Sequence, residues 1–380
     1  MAAMIPLTMP SFDTAEETAL LQVLRSGALA GDGRFGREVE AMLREMCNVH
    51  YALLTTSCTH ALELALLVLD VQAGDEVILP SFTFTSTANA IALRGAKPVF
   101  VEIDSQTWNL DPAAVAAAVT PRTRGIIPVH YAGQGCDMPA LQAIAQQHQL
   151  WIVEDAAQAV DARYGGRALG TWGDFGCLSF HNTKNIVSGE GGALLTNDAA
   201  LARRAEIMRE KGTNRAAFFR GEVDKYTWVD VGSSYVISDL LAALLQVQLG
   251  KTSAITLARR ERWQRYQQAF APLADAGQIQ LPFIHPAAEP NWHLYGFLID
   301  QPDRDSLLRY LRERGIGATF HYVPLHTAPA AARFGPVPTL PITDRISDSL
   351  VRLPLYPALT FEQQDYIIQA VIAGCATLFN

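Results

Sequence analysis

The sequence predicts an α/β fold: a large doubly wound domain built on a mainly parallel sheet, followed by a smaller C-terminal α+β domain. Three observations carry this. Between about residue 50 and 197, short β-branched runs alternate with longer helical patterns, as in a parallel sheet covered by helices. Residues 238–270 read as long helical sequence, rich in Ala, Leu, Gln and Arg. Beyond a polar loop at 282–290, the order becomes strand, helix, strand and terminal helix.

In chain order, strands are expected at 51–55, 76–80, 98–103, 125–129, 151–154, 177–180 and 193–196, each a short apolar run such as Glu76-Val77-Ile78-Leu79-Pro80. Helices are expected between them at 59–69, 88–93, 112–118 and 138–147, and Ser238 and Asp239 are cap candidates for the long helical stretch. The C-terminal part should hold strands at 294–299 and 318–322 and helices at 304–314 and 361–378. A chain of 380 residues holds two or three domains at roughly 100 to 200 residues each. The expected division is 1–255 and 256–380.

Hydrophobic residues make up 49% and charged residues 18%, a globular rather than disordered composition. The net charge of −8 provides no basic field for nucleic acid, so a bound phosphate needs a local set of donors. Five scattered cysteines without a C-x-x-C pair argue against a disulfide framework or thiolate metal site and fit a reducing cytoplasm. The first residues lack the pattern of a signal peptide, and no apolar run approaches the ~18 residues of a membrane span.

Gly31-Asp32-Gly33-Arg34-Phe35-Gly36 spells G-x-G-x-x-G, but the preceding segment has helical periodicity where a dinucleotide fingerprint needs a strand. A surface or active-site loop is the better reading. Thr55-Thr56-Ser57-Cys58-Thr59 ends a strand and opens an apolar helix, which makes either an ordinary cap or a phosphate site. Asp155 stands at the mouth of the 151–154 strand, and Lys184 lies in the loop after Ser179-Phe180. Next comes Gly189-Glu190-Gly191-Gly192, whose glycines let the backbone turn tightly beside a ligand. Taken singly, these residues have bland readings. Together with the aromatic Phe84 they supply the parts that hold pyridoxal phosphate, with a lysine to form the Schiff base and an acid to pair with the pyridinium nitrogen.

The segments Gly74-Asp75-Glu76-Val77-Ile78, Pro80-Ser81-Phe82-Thr83-Phe84, Glu154-Asp155-Ala156-Ala157-Gln158, Ser179-Phe180-His181 with Lys184-Asn185, and Gly189-Glu190-Gly191-Gly192 resemble the DegT, DnrJ and EryC family of pyridoxal-phosphate sugar aminotransferases. The resemblance covers essentially the whole chain and implies fold type I. It implies that Lys184 is the cofactor lysine, Asp155 the partner of the ring nitrogen and Gln158 a neighbour of the ring. Phe84 would stack on the ring, while Cys58, Thr59 and Ser179 would hold the phosphate. Many relatives place an asparagine from a neighbouring subunit where this chain has Ser233 and Ser234, so these serines are candidate replacements. A homodimer is implied in the same way.

Arg209, Lys211, Arg215, Arg220 and Lys225, with Tyr226, lie in one stretch that resembles the transaminases forming 4-amino-4,6-dideoxygalactose. The stretch is either a solvated charge run or a contact for the substrate diphosphate. His321 and His326 have a spacing seen in metal sites, but no cysteine or acid pair supports a metal, and substrate contact or packing remain. The resemblance thus implies L-glutamate as amino donor and a nucleotide-linked 4-keto-6-deoxyhexose, dTDP-4-dehydro-6-deoxy-D-glucose, as acceptor. Two rivals differ in sequence. Dehydratases of this scaffold replace the lysine with histidine, whereas Lys184 is present. A cofactor-binding regulator would lose the lysine or gain a DNA-binding segment.

Overall fold

The computed structural model describes residues 4–300 and 303–379. Two helices, α1 (Thr14–Ser26) and α2 (Arg34–Cys47), precede the first strand. Asp13 and Glu16 close a capping box on α1. The loop spelling G-x-G-x-x-G therefore joins two helices and does not follow a strand. Asp239 accepts the Phe35 and Gly36 N–H groups at 3.2 and 3.0 Å and so caps α2 from a distant element.

The strands β1 (Tyr51–Thr55), β2 (Glu76–Pro80), β3 (Lys97–Val101), β4 (Thr123–Ile126) and β5 (Trp151–Asp155) alternate with α3 (Cys58–Val68), α4 (Thr85–Leu93), α5 (Pro112–Ala118) and α6 (Met138–His148). After the two-residue strands β6 (Arg163–Tyr164) and β7 (Arg167–Ala168) come β8 (Phe175–Ser179) and β9 (Gly192–Thr196). The sheet order is β1-β9-β8-β5-β4-β2-β3, and only β9 runs against the others. Strands β2, β8 and β9 are buried throughout, which explains why they read as continuous apolar runs rather than alternating ones.

Helices α7 (Ala199–Arg209) and α8 (Arg215–Phe219) follow, then α9 (Asp239–Gly250) and α10 (Thr252–Asp275). Residues 238–270 are thus not one helix; α9 and α10 meet at a 61° bend. Packing accounts for the break. Ala242, Leu245 and Leu249 join the core around α2 and β1, whereas Trp263, Tyr266 and Phe270 join a second core with Tyr295, Leu307 and Val371. A straight helix could not serve both.

The second core is built on β11 (Tyr295–Leu298) and β12 (Leu350–Leu353), with α11 (Asp303–Glu313) and α13 (Phe361–Phe379), whereas α12 (Pro341–Ser349) packs its Ile346 in a separate cluster with Phe82 and Tyr131. Ile5, from the start of the chain, packs in this core as well. Within the 282–290 loop, β10 (Ala288–Glu289) pairs with β6. The strand expected at 318–322 does not form: Ile316 and Thr319 make single bridges, to Ile5 and Arg352. Among the described residues, no single helix is long and apolar enough to cross a membrane.

Candidate active site

The carboxyl ends of β1, β2, β5 and β8 share one edge of the sheet, where ligands of open α/β sheets collect. Because β9 runs the other way, its first residue lies on that edge too, and Gly192 pairs with both Thr55 and Ser179. A Cβ on Gly192 would sit 2.3 Å from the Ser57 carbonyl carbon and 2.5 Å from Cys58 N. Only glycine lets this strand abut the first turn of α3.

Ser57 caps α3 by accepting the His60 N–H at 3.1 Å. The N–H groups of Cys58 and Thr59 have no acceptor among the described residues. Two free donors on a helix start, aided by the helix dipole, make an anion site. Thr59 Oγ1 bonds Ser86 Oγ at 2.7 Å. Cys58 donates its thiol to the Cys177 carbonyl, and burial pushes that thiol well up, so it contributes backbone rather than charge. All five cysteines are free and buried.

Asp155 ends β5 and is buried. Its carboxylate accepts the Thr87 hydroxyl at 2.8 Å and the Ala157 N–H at 3.2 Å. Burial nevertheless raises its carboxyl above the ordinary range, against the pull of those bonds and of the Lys184 and His130 charges. Such a group favours a cationic partner.

Lys184 is half-buried, five residues past the end of β8. Its Nζ makes no hydrogen bond or ion pair among the described residues. Burial pushes its ammonium down, reinforced by Arg352 and opposed by Cys58 and Asp155, which favours the neutral, nucleophilic amine. The next residue anchors the loop: Asn185 Nδ2 donates to the Asn291 carbonyl at 2.8 Å, and Asn185 Oδ1 faces His293 Nδ1 at 3.0 Å. That arrangement requires the proton on His293 Nδ1. Burial and nearby cations hold His293 well below the usual histidine range, so it is neutral.

Gln158 is fixed at both ends, accepting the Ala132 N–H at 2.7 Å and donating to the Tyr322 hydroxyl at 3.0 Å. Ser179 Oγ is buried and accepts the His181 N–H at 3.4 Å. Phe84 precedes α4 and is 59% exposed, 6.4 Å from the Tyr322 ring, which leaves a face open to a flat ligand.

The two histidines separate. His321 Nδ1 lies 3.0 Å from the Tyr131 hydroxyl, whereas His326 bonds Ser81 and reaches Asp344. Among the described residues no three His, Cys, Asp or Glu side chains converge as a metal set.

Ser233 and Ser234 are exposed on a segment that pairs back onto Glu210 and Lys211. The basic stretch is largely committed to acids of the same chain. Arg209 is buried and bonds Glu40, Asp32 and the Leu54 carbonyl at 2.8, 2.7 and 3.0 Å. Its guanidinium therefore holds α7 to α2 rather than facing a diphosphate. Arg220 is held between Glu206 and Glu222, and Lys211 and Arg215 both reach Glu210. Tyr226 is exposed and packs on Phe218, and Lys225 is exposed without an ion pair among the described residues. Replacing Arg209 with Met should lower stability by on the order of 3 kcal/mol, since Glu40 loses its partner. A thermal melt should show that loss while the substrate KM values stay within about twofold.

Sequence reasoning missed Thr87, Tyr131, Tyr322, His293 and Arg352. Thr87 lies one turn into α4 and has a visible signal, because Thr83 and Thr87 repeat at helical spacing after β2 and bond each other at 2.8 Å. The others arrive from distant segments.

The DegT/DnrJ/EryC1/StrS aminotransferase family is matched over residues 10–372. The chain belongs to this family. Its fold is shared with the aminotransferase TlmJ from Streptoalloteichus hindustanus, at 33% identity and a TM-score of 0.92, covering 99% of this chain and 100% of that one. DesV of S. venezuelae, solved in complex with a ketimine intermediate, is 34% identical with a TM-score of 0.90, covering 98% and 99%. Helicobacter pylori PseC, an aminotransferase involved in the biosynthesis of pseudoaminic acid, is 26% identical with a TM-score of 0.90, covering 98% and 100%.

This aminotransferase is a sugar transaminase that uses pyridoxal phosphate, as its family does. The residues present fit that cofactor. The free Cys58 and Thr59 N–H groups suit its phosphate, the unpartnered Lys184 amine its aldehyde, and the buried Asp155 carboxylate its protonated ring nitrogen. When bound, the cofactor supplies an electron sink for a carbanion at the amino-bearing carbon. The chain supplies the rest. Lys184 Nζ, once free as an amine, would take the proton from that carbon and pass it to the carbon that was the cofactor's aldehyde, while Gln158 and Tyr322 hold each other by the hydrogen bond between them.

Proposed function

We propose that the enzyme transfers the amino group of L-glutamate to C4 of dTDP-4-dehydro-6-deoxy-D-glucose, giving dTDP-4-amino-4,6-dideoxy-D-galactose. The observation that carries this reading is the stretch Arg209-Glu210-Lys211-Gly212-Thr213-Asn214-Arg215, continued through Phe218-Phe219-Arg220-Gly221 and Asp224-Lys225-Tyr226-Thr227-Trp228. It resembles the dTDP-4-amino-4,6-dideoxygalactose transaminase of enterobacterial common antigen synthesis. The unpaired cation in that stretch, Lys225, is the best candidate for the sugar-nucleotide diphosphate, ahead of the acid-bound Arg220.

Self-association into a homodimer belongs to the same proposal. Phe219, Trp228 and Val231 expose 69%, 76% and 60% of their surface around this stretch, an apolar patch suited to a second copy. The cofactor site then works with Ser233 and Ser234 as the candidate contacts of a neighbouring subunit's phosphate.

Offering L-glutamate and dTDP-4-dehydro-6-deoxy-D-glucose to the holoenzyme and identifying the product by NMR tests the reading. Nitrogen at C4 in the galacto configuration is expected. Nitrogen at C3 would refute the substrate, and the gluco epimer would refute the stereochemistry. Lys225→Ala should raise the sugar-nucleotide KM at least about tenfold and leave the glutamate KM unchanged, because a diphosphate contact acts on one substrate only.

A further inference from the structure

The tripeptide Asn291-Trp292-His293, just before β11, is bonded to three separate segments of the chain. Asn291 is 1% exposed, and its Nδ2 donates to the Gln158 and Val160 carbonyls, both at 2.8 Å. Its own carbonyl accepts Asn185 Nδ2, and His293 Nδ1 faces Asn185 Oδ1. Both polar atoms of one side-chain amide, next in the chain to Lys184, are thus spent on the tripeptide.

Two side chains one turn apart on α10 hold it from their own helix. Arg259 is buried, and its guanidinium donates to the Trp292 and His293 carbonyls. Trp263 packs on Trp292, with ring centroids 4.9 Å apart. Trp292 has a φ of 56°, in the left-handed region that a bulky residue rarely enters. A Cβ on Gly133 would stand 1.8 Å from Asn291 Oδ1, so the crossing needs glycine there.

A buried guanidinium bonded to carbonyls and a left-handed tryptophan are poor ways to gain stability, which apolar packing supplies better. What they fix is a path, and the path ends beside Lys184. Trp263 belongs to the second core, whereas Ala159, Val160 and Ile186 belong to the core around α2 and β1. The tripeptide therefore joins the two cores next to the reacting amine. We propose that Asn185 and His293 are positioning residues: the bond between them, held in place by Arg259, sets where Lys184 Nζ stands relative to the Asp155–Gln158 segment. This rests on the assignment of Lys184 as the cofactor lysine and adds what holds it. His293 suits the task because burial and the nearby cations keep it neutral, with one ring N–H for Asn185.

The test follows the absorbance of the lysine-bound cofactor as the apoenzyme takes up saturating pyridoxal phosphate, then a single turnover of the holoenzyme with L-glutamate. Asn185→Ala should slow both steps about 10- to 100-fold, with the half-saturating concentrations of cofactor and glutamate within about threefold of wild type. His293→Phe, which keeps a ring without a donor, should act in the same direction. His293→Asn, whose amide nitrogen can replace Nδ1, should recover rates within about threefold of wild type. The double variant Asn185→Ala with His293→Phe should be no more than about twofold slower than Asn185→Ala, because the two changes remove one shared bond.

An Asn185→Ala enzyme that melts at a lower temperature yet captures cofactor within about threefold of the wild-type rate would leave the bond a merely structural role and overturn the inference. Losses that multiply in the double variant, or that His293→Asn fails to recover, would overturn it equally. A cofactor trapped by borohydride on a lysine other than Lys184 in the wild type would overturn the assignment on which it rests, a failure read separately from the variant rates.

Discussion

Lys184→Ala should abolish turnover, with a loss of at least about 10,000-fold, and remove the absorbance of the lysine-bound cofactor. One side chain performs two tasks here. On the proposed assignment it is both the amine that would capture the cofactor and the base that would move the proton, and a positioned base alone contributes roughly 100- to 10,000-fold. The amine has no competing partner among the described residues, and burial holds its pKa below the ordinary lysine range. The sign of the pH effect follows. The neutral, capturing form is present at lower pH than for an exposed lysine, so reloading of the apoenzyme with pyridoxal phosphate should remain fast below that range. The phosphate donors on α3 are untouched by the substitution, so noncovalent cofactor binding should persist. Residual turnover within about tenfold of wild type would assign the base to another group.

Asp155→Asn should keep the cofactor and lose kcat by at least roughly 10- to 150-fold, the kinetic equivalent of a lost charge-assisted hydrogen bond. The carboxylate is buried and accepts bonds from Thr87 and Ala157, and on the proposed assignment it would pair with the ring nitrogen. A neutral amide cannot hold that nitrogen protonated, and the electron sink weakens. Near-normal turnover, measured with saturating glutamate and sugar nucleotide, would remove Asp155 from the chemistry.

The strands were the most legible part of the chain. Residues 51–55 and 76–80 form β1 and β2 at the expected boundaries, because a short apolar run bounded by turn residues has few alternatives once it is buried. The site residues at strand ends were legible for the same reason. Asp155 and Ser179 end β5 and β8 and Lys184 lies in the loop after β8, and the parallel sheet brings those ends to one edge. What lay hidden came from tertiary packing. Arg209 sits in a run of charges that reads as exposed, yet its partners Asp32 and Glu40 are far away in sequence. Arg352 looks like a solvated residue on an alternating strand, and nothing local in the sequence shows that its Nε is shut off from solvent. The bend at Lys251 was hidden as well, since helical composition continues through it while the packing partner changes.

The most direct test of the site is to reduce the holoenzyme with borohydride, digest it and map the pyridoxyl group by mass spectrometry. Reduction fixes the cofactor to the nitrogen that holds it. The modification is expected on the peptide containing Lys184, and recovery on any other lysine would contradict the site described here.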